Sequence, residues 1–109
     1  MAVDGAGDLY VTGVGNSQVL KLAAGSATPS VLPFTGLDHP RGVAVDSAGD
    51  VYLSDNGNRR VLVLEAGSPA PTAVPFTRLN TPMGVAVDTA GALYVAEIRL
   101  NEVVKLPAG

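Results

Sequence analysis

The apolar residues of this chain come in short runs and do not follow helical spacing. VAV (43–45), VYL (51–53) and VLVL (61–64) lie between clusters that contain Gly, Asn or Asp, such as DSAGD (46–50), DNGN (55–58) and AGSP (66–69). Val, Leu and Tyr bounded by such breakers predict short strands. No stretch keeps a 3.6-residue apolar period long enough for a helix. Over the central part of the chain four strands are predicted: GVAVD (42–46), DVYLSD (50–55), RVLVLE (60–65) and TAVPF (72–76), joined through SAG, NGNR and AGSPAP. These strands barely alternate. Val43, Ala44 and Val45 are all apolar, as are Val61, Leu62, Val63 and Leu64, which implies a sheet covered on both faces.

The pattern repeats. AVD at 2–4 returns as AVD at 44–46 and 86–88, and aligning 26–67 with 68–109 leaves 19 identical positions in 42. A fixed period of this length marks a stacked-repeat architecture. Small antiparallel sheets packed face to face around an axis would cover both faces of every sheet, each sheet then being one blade of a β-propeller. Inner strands are Gly- and Ala-rich because space narrows towards the axis, and outer ones have room for Phe34 or Phe76. The expected fold is therefore all-β: one partial propeller domain over 1–109, with blade one at 1–34, blade two at 42–76 and a three-stranded blade three at 84–106. That is about 2.75 four-stranded antiparallel blades. Three whole repeats would need 17 more residues, matching 26–42 and expected before Met1.

The pattern L-x-x-P-x-G-V-A-V-D (37–46), followed by G-x-x-Y and by D-x-G-N-x-R-V (55–61), resembles the NHL repeat. The wording is similar also to the six-bladed extracellular sensor domain of an actinobacterial receptor Ser/Thr kinase. It resembles the designed Pizza propellers derived from that domain too, through the 42-residue period and VLPFTGL (31–37). The resemblance implies six blades in the closed ring and an extracellular sensor module in the natural setting. The repeats are too unequal for a symmetric design, which suggests a natural fragment or an engineered or reconstructed intermediate.

Composition narrows the functions. Hydrophobic content is 47%, but no apolar run is long enough to span a bilayer. No basic stretch leads into an apolar one, so no secretory leader is expected. Cys is absent, which removes thiolate catalysis and Cys-based metal sites. The seven Lys and Arg are scattered in a chain of net charge −3, whereas nucleic-acid binding needs a clustered basic face. Neither nucleic acid nor membrane is expected as a partner.

Candidate chemistry is sparse. The turns DGAGD (4–8), DSAGD (46–50) and DTAGA (88–92) are acidic, but calcium wants roughly six to eight oxygens. These residues are better read as hairpin turns capped by Asp4, Asp46 and Asp88, with positive φ at Gly7, Gly49 and Gly91. Asp55 and Arg60 bracket the NGNR loop and are expected to pair across a hairpin as an exposed ion pair, worth under ~1 kcal/mol. Gly13 and Gln18 replace both in the first repeat. Glu97 and Glu102 set like charges opposite each other in the third, which should repel mildly. The lone His39 has no Cys, no nucleophile elbow and too few companions for zinc. No catalysis, metal or cofactor is expected.

A binding face is expected where the loop entering each inner strand meets the loop between the second and third strands. It gathers Asp38, His39 and Arg41 with Asn56, Asn58 and Arg59, then Asn80, Thr81 and Met83 with Ile98, Arg99 and Leu100. Such a face suits a peptide or small ligand. Three blades also leave two open ends. Val3, Leu9 and Val11 at one end, and Val95, Val103 and Leu106 at the other, are expected to form apolar faces that associate. The third-strand edge at 103–106 would lie unpaired, with Lys105 and Pro107 to blunt it. Because each end matches the other, the contact is heterologous and must close. A second copy of the chain is the expected partner, in a C2 homodimer with six inner strands; a trimer would need nine and a wider ring. Two function classes stand: a self-assembling structural module, and a ligand-binding sensor module.

Overall fold

A computed structural model describes residues 2–13, 17–74, 81–97 and 102–106. Phe76, Asn80, Ile98, Arg99, Leu100 and Pro107 lie outside the described residues. Where the turns fall between apolar runs, the chain folds back into strictly antiparallel sheets. The first contains β1 (Ala2–Val3), β2 (Leu9–Gly13), β3 (Gln18–Leu22) and β4 (Ser30–Val31), paired in chain order. The second contains β5 (Pro40–Val45), β6 (Val51–Asp55), β7 (Arg60–Leu64) and β8 (Thr72–Ala73), and the third β9 (Pro82–Val87), β10 (Leu93–Glu97) and β11 (Glu102–Leu106).

Each first hairpin is built by its acidic turn. Asp4 Oδ1 accepts the N–H groups of Ala6 and Asp8 at 2.9 and 3.0 Å, and its Oδ2 accepts the Tyr10 hydroxyl at 2.9 Å. Asp46 does the same with Ala48, Asp50 and Tyr52, and Asp88 with Ala90, Ala92 and Tyr94. The second acid of the turn has its own structural task. Asp8 accepts from Ala24 N–H and Asp50 from Ala66 N–H, tying each first turn to the turn before the outer strand.

The two-sided apolar strands pack on both sides, as their composition demands. One face of blade two, with Val43, Val51, Leu53, Leu62 and Leu64, forms a buried cluster with Tyr10 and Val19 of blade one. Its other face contributes Val61 and Tyr52 to a cluster with Leu93, Val95, Val85, Val87 and Leu106 of blade three. This corrects the expected end face. Val95 is fully buried and Leu106 packs beside it in the joint with blade two. Side chains alternate between faces, and these two residues point the opposite way from Val103, which is 68% exposed.

Outer strands are shorter than expected, only two residues each. After β4 the chain leaves the sheet as a strap running from Leu32 to His39. Leu32 N–H still bonds the Val19 carbonyl at 2.9 Å. Pro33 cannot donate to a ladder, and Phe34, 7% exposed, then plugs the joint between blades one and two. At the joint between blades two and three the inner strands approach closely: a Cβ on Gly42 would collide with the backbone carbonyl of Met83.

Candidate functional site

The loop face is organised by one buried carboxylate. Asp55 ends β6, its side chain is fully buried, and Arg60 lies directly opposite in the register. Between them Asn56–Asn58 form one 3-10 turn closed by Arg59 in the left-handed region, at φ 56°. Asp55 Oδ1 accepts the Asp38 N–H at 2.8 Å, and Oδ2 accepts Asn58 Nδ2 and Arg60 Nε, both at 2.8 Å. The expected exposed ion pair is thus corrected: Asp55 lies beneath the strap, and only Arg60 reaches solvent. A buried carboxylate is tolerated because both oxygens are hydrogen-bonded, partly by a cation.

The same loop grips the strap from above. Asn58 Nδ2 and Arg60 Nη2 donate to the Gly36 carbonyl at 2.9 and 3.2 Å, and Gly57 N–H donates to the Asp38 carbonyl at 2.8 Å. In blade three Glu97, also buried, accepts the Thr81 N–H at 2.6 Å. The like-charge reading of Glu97 and Glu102 gives way here too. The two do face each other, but Glu97 turns inward to take a strap amide while Glu102 stays exposed.

A second set of polar ties runs from the second strand of one blade, or the loop after it, to the inner strand of the next. Thr12 Oγ1 donates to the Arg41 carbonyl at 3.0 Å. Ser54 Oγ donates to the Met83 carbonyl at 2.6 Å and accepts the Gly42 N–H at 2.8 Å. Asn56 Nδ2 adds a bond to the Pro82 carbonyl at 3.0 Å, with Met83 Sδ at 3.4 Å. Sequence reasoning missed these ties. Their signal was a hydroxyl, Thr12 or Ser54, at the same position of two repeats.

Of the expected ligand residues, Asp38 and Met83 enter internal ties through backbone groups and Asn58 through its side-chain amide, while the Asp38 side chain stays exposed. His39, at φ 53°, hydrogen-bonds its neighbour Asp38 through Nδ1. His39, Arg41 and Arg59 are exposed side chains on this face; Arg99 is outside the described residues. Among the described residues no three His, Asp or Glu side chains gather as a metal site. The opposite face carries a groove of about 320 Å³ between blades one and two, lined by Asp4, Tyr10, Lys21, Val51, Leu64 and Glu65 among others. There Lys21 sits over the Tyr10 ring and 3.5 Å from Asp8. Burial and the Asp4 acceptor raise the Tyr10 hydroxyl above its usual range.

The NHL repeat family matches residues 37–64, the stretch from the strap through β7. No curated protein sequence matches the chain. Among solved structures, a nidogen/laminin complex aligns with TM-score 0.82 at 20% identity, over 95% of this chain and 41% of the other. A streptogramin B lyase aligns with TM-score 0.77 at 18% identity, over 97% and 39%. Virginiamycin B lyase from Staphylococcus aureus aligns with TM-score 0.71 at 14% identity, over 96% and 39%. The fold is that of β-propeller blades, and the chain spans about two-fifths of the length of these structures.

Proposed function

We propose that this chain is a non-catalytic NHL-type propeller module, engineered or reconstructed, whose activity is self-assembly: two copies close a six-bladed ring as a C2 homodimer. One observation carries the reading. Each open end face is the register counterpart of a face that is buried inside the chain. On blade one, Val3, Leu9 and Val11 share a face with Leu20 and Leu22. Their equivalents 42 positions on are Val45, Val51, Leu53, Leu62 and Leu64, which line the joint with blade one. Val11 is 37% exposed where Leu53 is fully buried. On blade three, Ala86, Tyr94, Ala96, Val103 and Lys105 share the outer face. Val103 corresponds to Val61, which is fully buried. An apolar hollow of about 300 Å³ lies on that face, lined by Gly84, Ala86, Tyr94, Ala96 and Val103 with Val85.

Faces that fit inside the chain fit between chains. Burying one exposed valine or leucine is worth ~1.5–3 kcal/mol, against an association cost of ~4–15 kcal/mol. A closed dimer makes two joints for a single such cost, which favours closure over open strings. The chemistry of the polar residues agrees with a non-catalytic role, since Ser54 is buried in a clamp and His39 is exposed beside Asp38. Light scattering coupled to size exclusion tests the reading: a mass near twice 11.0 kDa is expected. A folded monomer would overturn it. That result would favour the second reading, a sensor module of a receptor kinase, which rests on exposed His39, Arg41 and Arg59 sharing one loop face. A trimer would overturn the ring size.

A further inference from the structure

Resting on that reading, we infer that the joint between copies is made by apolar sheet faces alone, without the strap anchor and hydroxyl tie that serve the joints among the described residues of the chain. The second copy is recognised by shape and hydrophobic contact.

Two independent sets of residues support this. The first is the strap anchor. In blade two it consists of Asp55 and Arg60, which hold the Asp38 amide and the Gly36 carbonyl. In blade three the carboxylate persists as Glu97, holding the Thr81 amide. In blade one the equivalent positions are Gly13 and Gln18. A glycine offers no acceptor, so blade one has no carboxylate to receive an arriving strap amide. The second set is the outgoing ties. Thr12 bridges blade one to the Arg41 carbonyl, and Ser54 bridges blade two to the Met83 carbonyl. Blade three has Ala96 at that position, on its outer face. The hydroxyl donor becomes a methyl group on one open end, and the carboxylate is lost from the other. Inside the chain a buried hydroxyl must find a carbonyl; Ala96 asks for none.

The test uses the full chain and a fluorescent peptide of residues 26–42, SATPSVLPFTGLDHPRG, which contains the strap. Wild type is expected to show no saturable binding by anisotropy. Gly13→Asp/Gln18→Arg, which gives blade one the receiver of blade two, is expected to bind at least about tenfold tighter and to regain thermal stability on adding the peptide. Equal binding to both proteins would overturn the inference. Binding to neither would overturn it too, because a carboxylate at that position would then not be what holds a strap. Should the variant fail to fold, the converse change serves. Asp55→Gly/Arg60→Gln gives blade two the blade-one residues, and is expected to speed hydrogen exchange at the Asp38 amide by about tenfold or more. Unchanged exchange there would refute the anchor. Light scattering on wild type reads self-association separately: a monomer would sink the dimer, whereas peptide binding that requires the Gly13→Asp change would still uphold the missing receiver.

Discussion

Replacing Asp55 by Ala separates a buried anchor from a surface ion pair. The side chain is fully buried and accepts three hydrogen bonds at 2.8 Å, from Asp38 N–H, Asn58 Nδ2 and Arg60 Nε. Breaking a fully buried charge pair by removing one partner costs ~3–5 kcal/mol. Here the Arg60 side chain is 38% exposed and can recover water, and Asn58 lies at the surface. The full figure therefore overstates the loss, and about 2–4 kcal/mol is expected. At ~4–8 °C per kcal/mol for a domain of this size, the melting temperature should fall by about ten degrees or more. Arg60→Ala leaves the fully buried carboxylate without its cation and should cost a comparable amount, about 2–4 kcal/mol, the two remaining donors keeping it below the upper limit for a broken buried pair. Urea unfolding followed by circular dichroism gives both values, at one fixed protein concentration because association shifts apparent stability. A loss below ~1 kcal/mol for Asp55→Ala would refute the anchor, that being the range of an exposed pair.

Three further outcomes are expected. Burial pushes Asp4 up, but the amides of Asp8 and Ala6 and the Tyr10 hydroxyl outweigh it. The Ala92 amide and Tyr94 hydroxyl likewise hold Asp88 below the usual 3.8. Their stabilisation is therefore present above about pH 4 and is lost as pH falls through the lowered folded pKa values. At the other extreme burial and Asp46 push Tyr52 up to about 12 from 10.0, so its contribution holds below pH 10 and is lost on rising through 12; a melting temperature flat from pH 4 to 2 and from 10 to 12 would contradict both. Gly42→Ala should destabilise by ~1–3 kcal/mol through the clash with Met83, and an unchanged urea midpoint would show that the inner strands can part at no cost. Glu102→Arg places a cation opposite Glu97 and should stabilise by about 0.5–1 kcal/mol; a lower melting temperature would count against that pairing.

Much of the fold is legible in the residues. Strand positions follow from the apolar runs, and turn chemistry from the Asp and Gly that open and close each acidic turn. Facing was harder to read. In strands apolar on both sides, hydropathy cannot say which side of β10 meets blade two, so Val95 and Val103 looked alike. Register could have separated them: Val95 lies two residues from Glu97, on the buried side, whereas Val103 pairs with Ala96 on the other. The strap was misread as strand because VLPF has strand composition, yet Pro33 ends the ladder and Phe34 turns into the joint. Asp55 was placed at the surface because aspartate usually belongs there. Its burial depends on a strap amide arriving from 17 residues earlier, a contact that no local pattern announces.

The repeated residues and the varied ones report on different things. Positions shared by all three copies, such as Asp4, Asp46 and Asp88 with their tyrosines, build a blade from within and say nothing of its neighbours. Two sets of positions that differ between copies fall where one blade touches the next: Thr12, Ser54 and Ala96 at the hydroxyl ties, Gly13, Asp55 and Glu97 at the strap anchor. If every joint were alike, these positions would be under the same demand and would have no physical reason to differ in this pattern. They differ in one direction, polar where a neighbouring blade of the same chain is seated and apolar or bare at the two open faces. A buried polar group is a liability unless its partner is always present, and within one polypeptide the partner always is. Between the copies of the proposed dimer it would depend on concentration, and the free chain would keep those faces in water. In the proposed dimer, apolar side chains at such a joint would leave no hydrogen bond broken in the free chain and would still favour closure.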